Sequence, residues 1–186
     1  MEAFNYLSVL LSIILGLAIA QILQGYRAIL LARGRVRHSA PVLIWSGLLL
    51  LFATQAWWAS FALRDRTEWD FLSFSIILLQ LGLLYMLTAL VIPDVKDDGD
   101  TDLGRHFDQH RAVFFGLIIA MLAASIAKEA VLTHKLSSPL NLAFHLMFMA
   151  LAVIGILMRA YRAQLLLSIA AVIGFLAYVA LLFARL

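Results

Sequence analysis

Apolar side chains run along this chain in long, nearly unbroken stretches, and polar residues arrive in short clusters between them. The clusters are "RGRVRHSAP", "RDRTEW", "PDVKDDGDTD", "THKLSSP" and "RAYR". Six stretches remain, at about 4–31, 40–63, 70–92, 111–132, 139–158 and 162–184, each long enough to cross a bilayer as a helix. Backbone N–H and C=O groups in hydrocarbon need partners within their own segment, so helices are the expected spanning form. Pro41, Pro93 and Pro139 fall at stretch ends, where a missing N–H costs least. The pattern predicts an all-α membrane protein, a compact bundle of six transmembrane helices forming one integral membrane domain over 1–186.

Small residues recur every fourth position on two helices. The first carries Ser8, Ser12, Gly16 and Ala20, and the fourth carries Ala112, Gly116, Ala120 and Ala124. Such stripes are expected to be packing faces, within the chain or in a homodimer, because small side chains let backbones approach closely in lipid. If their match reflects duplication, the chain consists of two inverted three-helix halves. The competing explanation is chance, since Ala, Gly and Ser are common in membrane helices.

Composition strengthens the membrane assignment: 64% of residues are hydrophobic, 13% are charged, and mean hydropathy is +0.97. Soluble domains average about half apolar and about a quarter charged. The net charge of +3 is spread over the inter-helix clusters and does not point to nucleic acid. Its distribution bears on orientation instead. Arg27, Arg33, Arg35, Arg37, Lys96, Arg105, Arg111, Arg159 and Arg162 fall on one side, and Arg64, Arg66, Lys128, Lys135 and Arg185 on the other. The richer side is expected to be cytoplasmic. Both termini then face outward, residues 94–110 are cytoplasmic, and the location is the cell (inner or plasma) membrane. Tyr6, Trp57, Trp58, Trp69 and Tyr178 are expected in an outer aromatic belt, and Tyr26, Trp45 and Tyr161 in an inner one. Ala18-Ile19-Ala20 mimics a signal-peptidase site, but without a basic n-region the first stretch reads as a retained span.

Candidate chemistry concentrates in one layer. With alternating helices, Asn5, Ser8, Ser12, Gln55, Ser73, Ser75, Ser125, Lys128, Glu129, Asn141 and His145 all fall in the outer half. Charged groups at depth are costly and usually functional. Glu129, His145, Gln55, Lys128 and Asn141 are therefore the candidate ligand- or ion-binding residues, for a cation, a proton or a small polar solute. The plainer alternative is that the fourth helix ends early and leaves both charges among headgroups. Lys128 and Glu129 lie about 100° apart on a helix and are not expected to pair. Gln21, Gln24 and Gln80 form an inner set, read as interhelical glue or as a narrow polar path. The sixth helix is expected to be lipid-facing or a pure packing element.

A second candidate lies after the third helix. Asp102 is expected to cap the next helix. Asp102, His106 and His110, four apart on one face, have a spacing compatible with a metal, although Phe107 stands where a zinc-protease motif needs glutamate. A solvated acidic turn, with Asp94, Asp97, Asp98 and Asp100, is the competing reading. There is no cysteine, phosphate-binding glycine loop, nucleophile elbow or haem-type histidine pair, so no cofactor is expected and an enzyme is disfavoured. The functional expectation is a small transporter- or channel-like protein. The alternative is a non-transporting accessory or sensor subunit of a membrane complex.

Overall fold

The computed structural model describes residues 3–32, 34–64, 66, 68–95, 100–134 and 137–182. Six long helices dominate: α1 (Ala3–Ala32), α2 (Ala40–Ser60, extended by a 3-10 turn at Phe61–Leu63), α3 (Phe71–Val91), α4 (Leu103–Thr133), α5 (Pro139–Leu157) and α6 (Tyr161–Leu182). All six are long and apolar enough to span a bilayer. Only 22% to 33% of each span's most apolar window is buried inside the protein. The remaining apolar surface, including Leu30, Leu166 and Ile173, has no protein cover and needs lipid. By length and composition the chain is a multi-pass membrane protein.

The helix starts follow local chemistry. Asp70 caps α3, its Oδ1 accepting from the Ser73 amide at 2.8 Å. Asp102 caps α4 as expected, accepting from the Arg105 amide at 2.9 Å. Ser138 caps α5, with Pro139 following in the first turn. α4 begins at Leu103, eight residues before the expected span (111 − 103). Arg105, Asp108 and Arg111 interrupt the hydrophobicity but not the helix, because they favour helix well enough once it is capped. Arg111 is buried and sits 3.7 Å from Asp108.

Two of the connections meet. Strand β1 (Val36–Arg37) pairs in parallel with β2 (Thr101–Asp102), and the Arg37 guanidinium lies 3.5 Å from the Asp102 carboxylate. This clip places the α1–α2 and α3–α4 connections at one end of the bundle, hereafter the clipped end. The other end carries the α2–α3 and α4–α5 connections.

α4 packs mainly against α3 and α5, α1 against α3 and α2, and α6 against α2 and α5. The two halves do not repeat this packing: α1 lies along α3, whereas α4 and α6 are not a packed pair. Toward the clipped end the interior is aromatic. Trp45, Phe107, Phe114 and Phe115 stack edge to face at centroid separations of 5.3–6.0 Å. Gly155 lets α5 close onto this cluster, since a Cβ there would lie 2.4 Å from Phe115 Cζ.

Several expectations change here. α1 buries Leu7, Leu11, Leu15, Ala18 and Ile22, not its small-residue stripe: Ser12 and Gly16 are exposed. On α4 only Ala124 of the stripe is buried. Shape explains the difference, because leucines fill the gaps left by neighbouring helices, and Ser8 and Ser12 merely bond back to Asn5 and Ser8 carbonyls on their own helix. Trp45 is a core residue, not part of an interfacial belt. α6 contributes more than apolar surface. Its buried Gln164 donates from Nε2 to the Gly155 and Met158 carbonyls and so caps the end of α5.

Candidate functional site

The polar residues of α4 at the end opposite the clip sit in its last turns. α4 runs on to Thr133, so Lys128 and Glu129 are inside the helix and not past its end. His134 then adopts a left-handed conformation (φ 54°), with its amide bonded to the Ala130 carbonyl, and turns the chain toward α5. That turn sets Glu129 opposite the start of α5. Its Oε2 accepts from the Ser137 hydroxyl and from Asn141 Nδ2 at 2.7 Å. Asn141 lies in the first turn of α5, where unpaired amides favour a negative charge. The carboxylate thereby clamps the α4–α5 hairpin.

One turn along α5, His145 is buried. Its Nδ1–H donates to the Asn141 carbonyl at 2.8 Å. The carbonyl cannot donate, so the neutral ring has its lone pair at Nε2, where the Ser125 hydroxyl donates across 3.1 Å. Ser125 and Glu129 share a face of α4, as their spacing implies, and α5 reads both. Lys128 makes no ion pair with Glu129 among the described residues. It borders a cavity instead.

That cavity has a volume of about 380 Å³ and is bordered by all six helices. Gln55, Lys128, Glu129, Asn141 and His145, the five binding candidates, all line it. Leu11 and Leu15 of α1 and Ile77 and Leu81 of α3 supply apolar wall. A narrower lobe of about 50 Å³ continues inward between Phe52, Phe144 and Phe148. A volume of several hundred Å³ with a few polar groups on apolar walls is characteristic of small-molecule sites.

Other members of the expected layer lie elsewhere. Asn5 is exposed, Ser8 and Ser12 bond back along α1, Ser75 bonds to the Phe71 carbonyl, and Ser73 serves the α3 cap. Conversely, three residues join the cavity that their positions along the chain do not place there. Gln80, expected with the inner glutamines, lines the cavity, whose lining includes neither Gln21 nor Gln24. Tyr178, read as a belt residue, also lines it. Arg66, counted only as a loop charge, reaches it from the α2–α3 connection. Its Nε donates to the Glu68 carbonyl at 2.7 Å, Nη1 to the Leu132 carbonyl, and its guanidinium lies 5.6 Å from the Trp69 ring centre. A loop arginine reaching the last turn of α4 is a long-range contact that spacing does not reveal. For Tyr178 and Gln80, depth in the span was the available signal.

The metal candidate does not assemble. His106 Nε2–H donates to the Leu90 carbonyl at 3.0 Å, and His110 Nδ1–H to the His106 carbonyl at 2.9 Å. The two rings stack at 4.4 Å, and Asp102 serves the α4 cap and Arg37. Side chains four apart share a face, but each of these is already engaged by backbone or a cation. Among the described residues no group of three or more His, Cys, Asp and Glu could hold a metal ion. Asp97 and Asp98 of the acidic turn lie outside the described residues. Comparison with known proteins finds no matching family model, no matching curated protein and no matching solved structure, so the reading of this chain rests on its own geometry.

Proposed function

We propose that this chain is a small transporter- or channel-like membrane protein whose cavity admits a small polar solute from the end opposite the β1–β2 clip. The supporting observation is the one cavity that gathers Gln55, Lys128, Glu129, Asn141 and His145 from three helices. The orientation expected from basic residues makes that end external, with the termini outside, residues 94–110 cytoplasmic, and the cell membrane as the location. A homodimer through the uncovered Ser12 and Gly16 face of α1 belongs to the same proposal. An accessory or sensor subunit that binds without transporting is the second reading. It is favoured by the packed aromatic cluster at the clipped end, which makes the cavity a dead end in this conformation.

The chain has no cysteine, so single cysteines report cleanly. Gln55→Cys is expected to react with a membrane-impermeant thiol reagent added outside intact cells, and Leu49→Cys, buried in the closed half, is not. Failure to label position 55 from either side would remove the solute-cavity reading. Labelling only from the cytoplasmic side would reverse the orientation. Solute flux in proteoliposomes separates the transporter from the sensor.

A further inference from the structure

The charges around the cavity are unequally occupied. Glu129 is the only described carboxylate that lines it, and its Oε2 already accepts two hydrogen bonds at the first turn of α5. Arg66 adds a positive charge to the lining while three of its donors serve the Glu68 and Leu132 carbonyls and the Ser73 hydroxyl. Lys128, half-buried, makes no hydrogen bond or ion pair among the described residues. With His145 neutral, the lining therefore carries one excess positive charge, and the ammonium of Lys128 is the part left to be met. Lysine is a compact point charge with three donors, and a desolvated one gains most from an anion.

The walls add a second criterion. Leu11, Leu15, Ile77 and Leu81 offer nothing to a hydrated inorganic ion, while the side-chain amides of Gln55 and Gln80 can orient a polar group. A dry cavity of about 150 Å³ suffices for benzene, so a volume of about 380 Å³ holds a ring-sized body with room for a charged group.

We propose that the ligand of this cavity is a small organic anion, a carboxylate on a compact apolar body, held by the Lys128 ammonium with its body against the leucines of α1 and α3. This rests on the solute-cavity reading above and names its ligand class. A bound cation would sit beside Lys128 and Arg66 and would face a lone carboxylate with one oxygen already engaged by Ser137 and Asn141.

The test uses the full chain in lipid nanodiscs and calorimetric titration with benzoate, benzamide and benzylamine, which share a ring and differ in charge. Benzoate is expected to bind at least tenfold tighter than benzamide, and benzylamine more weakly than either. Lys128→Met should abolish the preference for benzoate, and Lys128→Arg should retain most of it. Equal benzoate affinity in wild type and Lys128→Met overturns the proposal, as does a preference for benzylamine. Decanoate distinguishes a lipid-derived carboxylate from a soluble one: Lys128-dependent binding of decanoate without benzoate overturns the compact body. If benzamide and benzylamine bind but benzoate does not, the cavity remains a solute site and only the anion falls. Binding of no probe overturns the anion, and labelling at position 55 then decides whether the solute cavity falls with it.

Discussion

The two ends of the bundle solve opposite problems with the same helices. At the clipped end, rings fill the space between α2, α4 and α5, and Gly155 brings a backbone directly onto Phe115. At the other end, the same α4 diverges around a cavity, and its Ser125 and Glu129 side chains are spent on hydrogen bonds to α5. Lipid gives no hydrophobic push between helices, so shape complementarity holds the first end and polar bonds hold the second. A one-sided cavity follows from that division: rings fill the packed end, and the hydrogen-bonded end leaves room.

The largest effect is expected where packing alone holds the helices. Phe115→Ala should cost roughly 3 kcal/mol, because the neighbouring Trp45 and Phe114 rings cannot collapse into the space. Thermal unfolding in detergent measures it, and a change below a third of that would mean the cluster is not what joins the helices there.

At the polar end the adjacent charges should behave differently. Glu129→Ala removes a charge-assisted acceptor for Ser137 and Asn141 and should cost about 2 kcal/mol. Lys128→Met, which removes no hydrogen bond among the described residues, should leave unfolding within about 0.5 kcal/mol of wild type. Equal losses in both variants would mean that Lys128 is also structural, and the contrast drawn between them would be wrong.

The smallest effect concerns pH at the open end. Hydrogen bonds from the Ser73 hydroxyl and amide hold the exposed Asp70 carboxyl below its ordinary 3.8. A lowered folded value means that the cap stabilises fully above 3.8 and is lost as pH falls through the lower folded value. Helical signal near the start of α3 should therefore fall in that acid window, and Asp70→Ala should remove this dependence. An unchanged acid limb in the variant would show that the cap does not carry it.

Much of this architecture was legible from residue order. Long apolar stretches set five helices nearly to their observed ends, and α4 at its far end only, because a bilayer demands about twenty apolar residues per crossing whatever the packing. The cap at Asp102 is local chemistry, readable within three residues. Depth was readable too: alternating spans place Gln55, Glu129, Asn141 and His145 at one level, and they do meet around one cavity.

Rotation about each helix axis was not legible. Four of the six helices, α2, α3, α4 and α6, show almost no one-sided apolar pattern, since lipid and protein interior are equally apolar, so periodicity could not say which of their faces turns inward. Hence Ser8 and Ser12 stayed on their own helix, Trp45 went to the core, and Gln80 and Tyr178 turned toward the cavity. Helical spacing already turned Lys128 away from Glu129, but only the assembled bundle decided what each meets, because the partner that claims the carboxylate arrives on a different helix, while the neighbouring ammonium is left at the cavity wall.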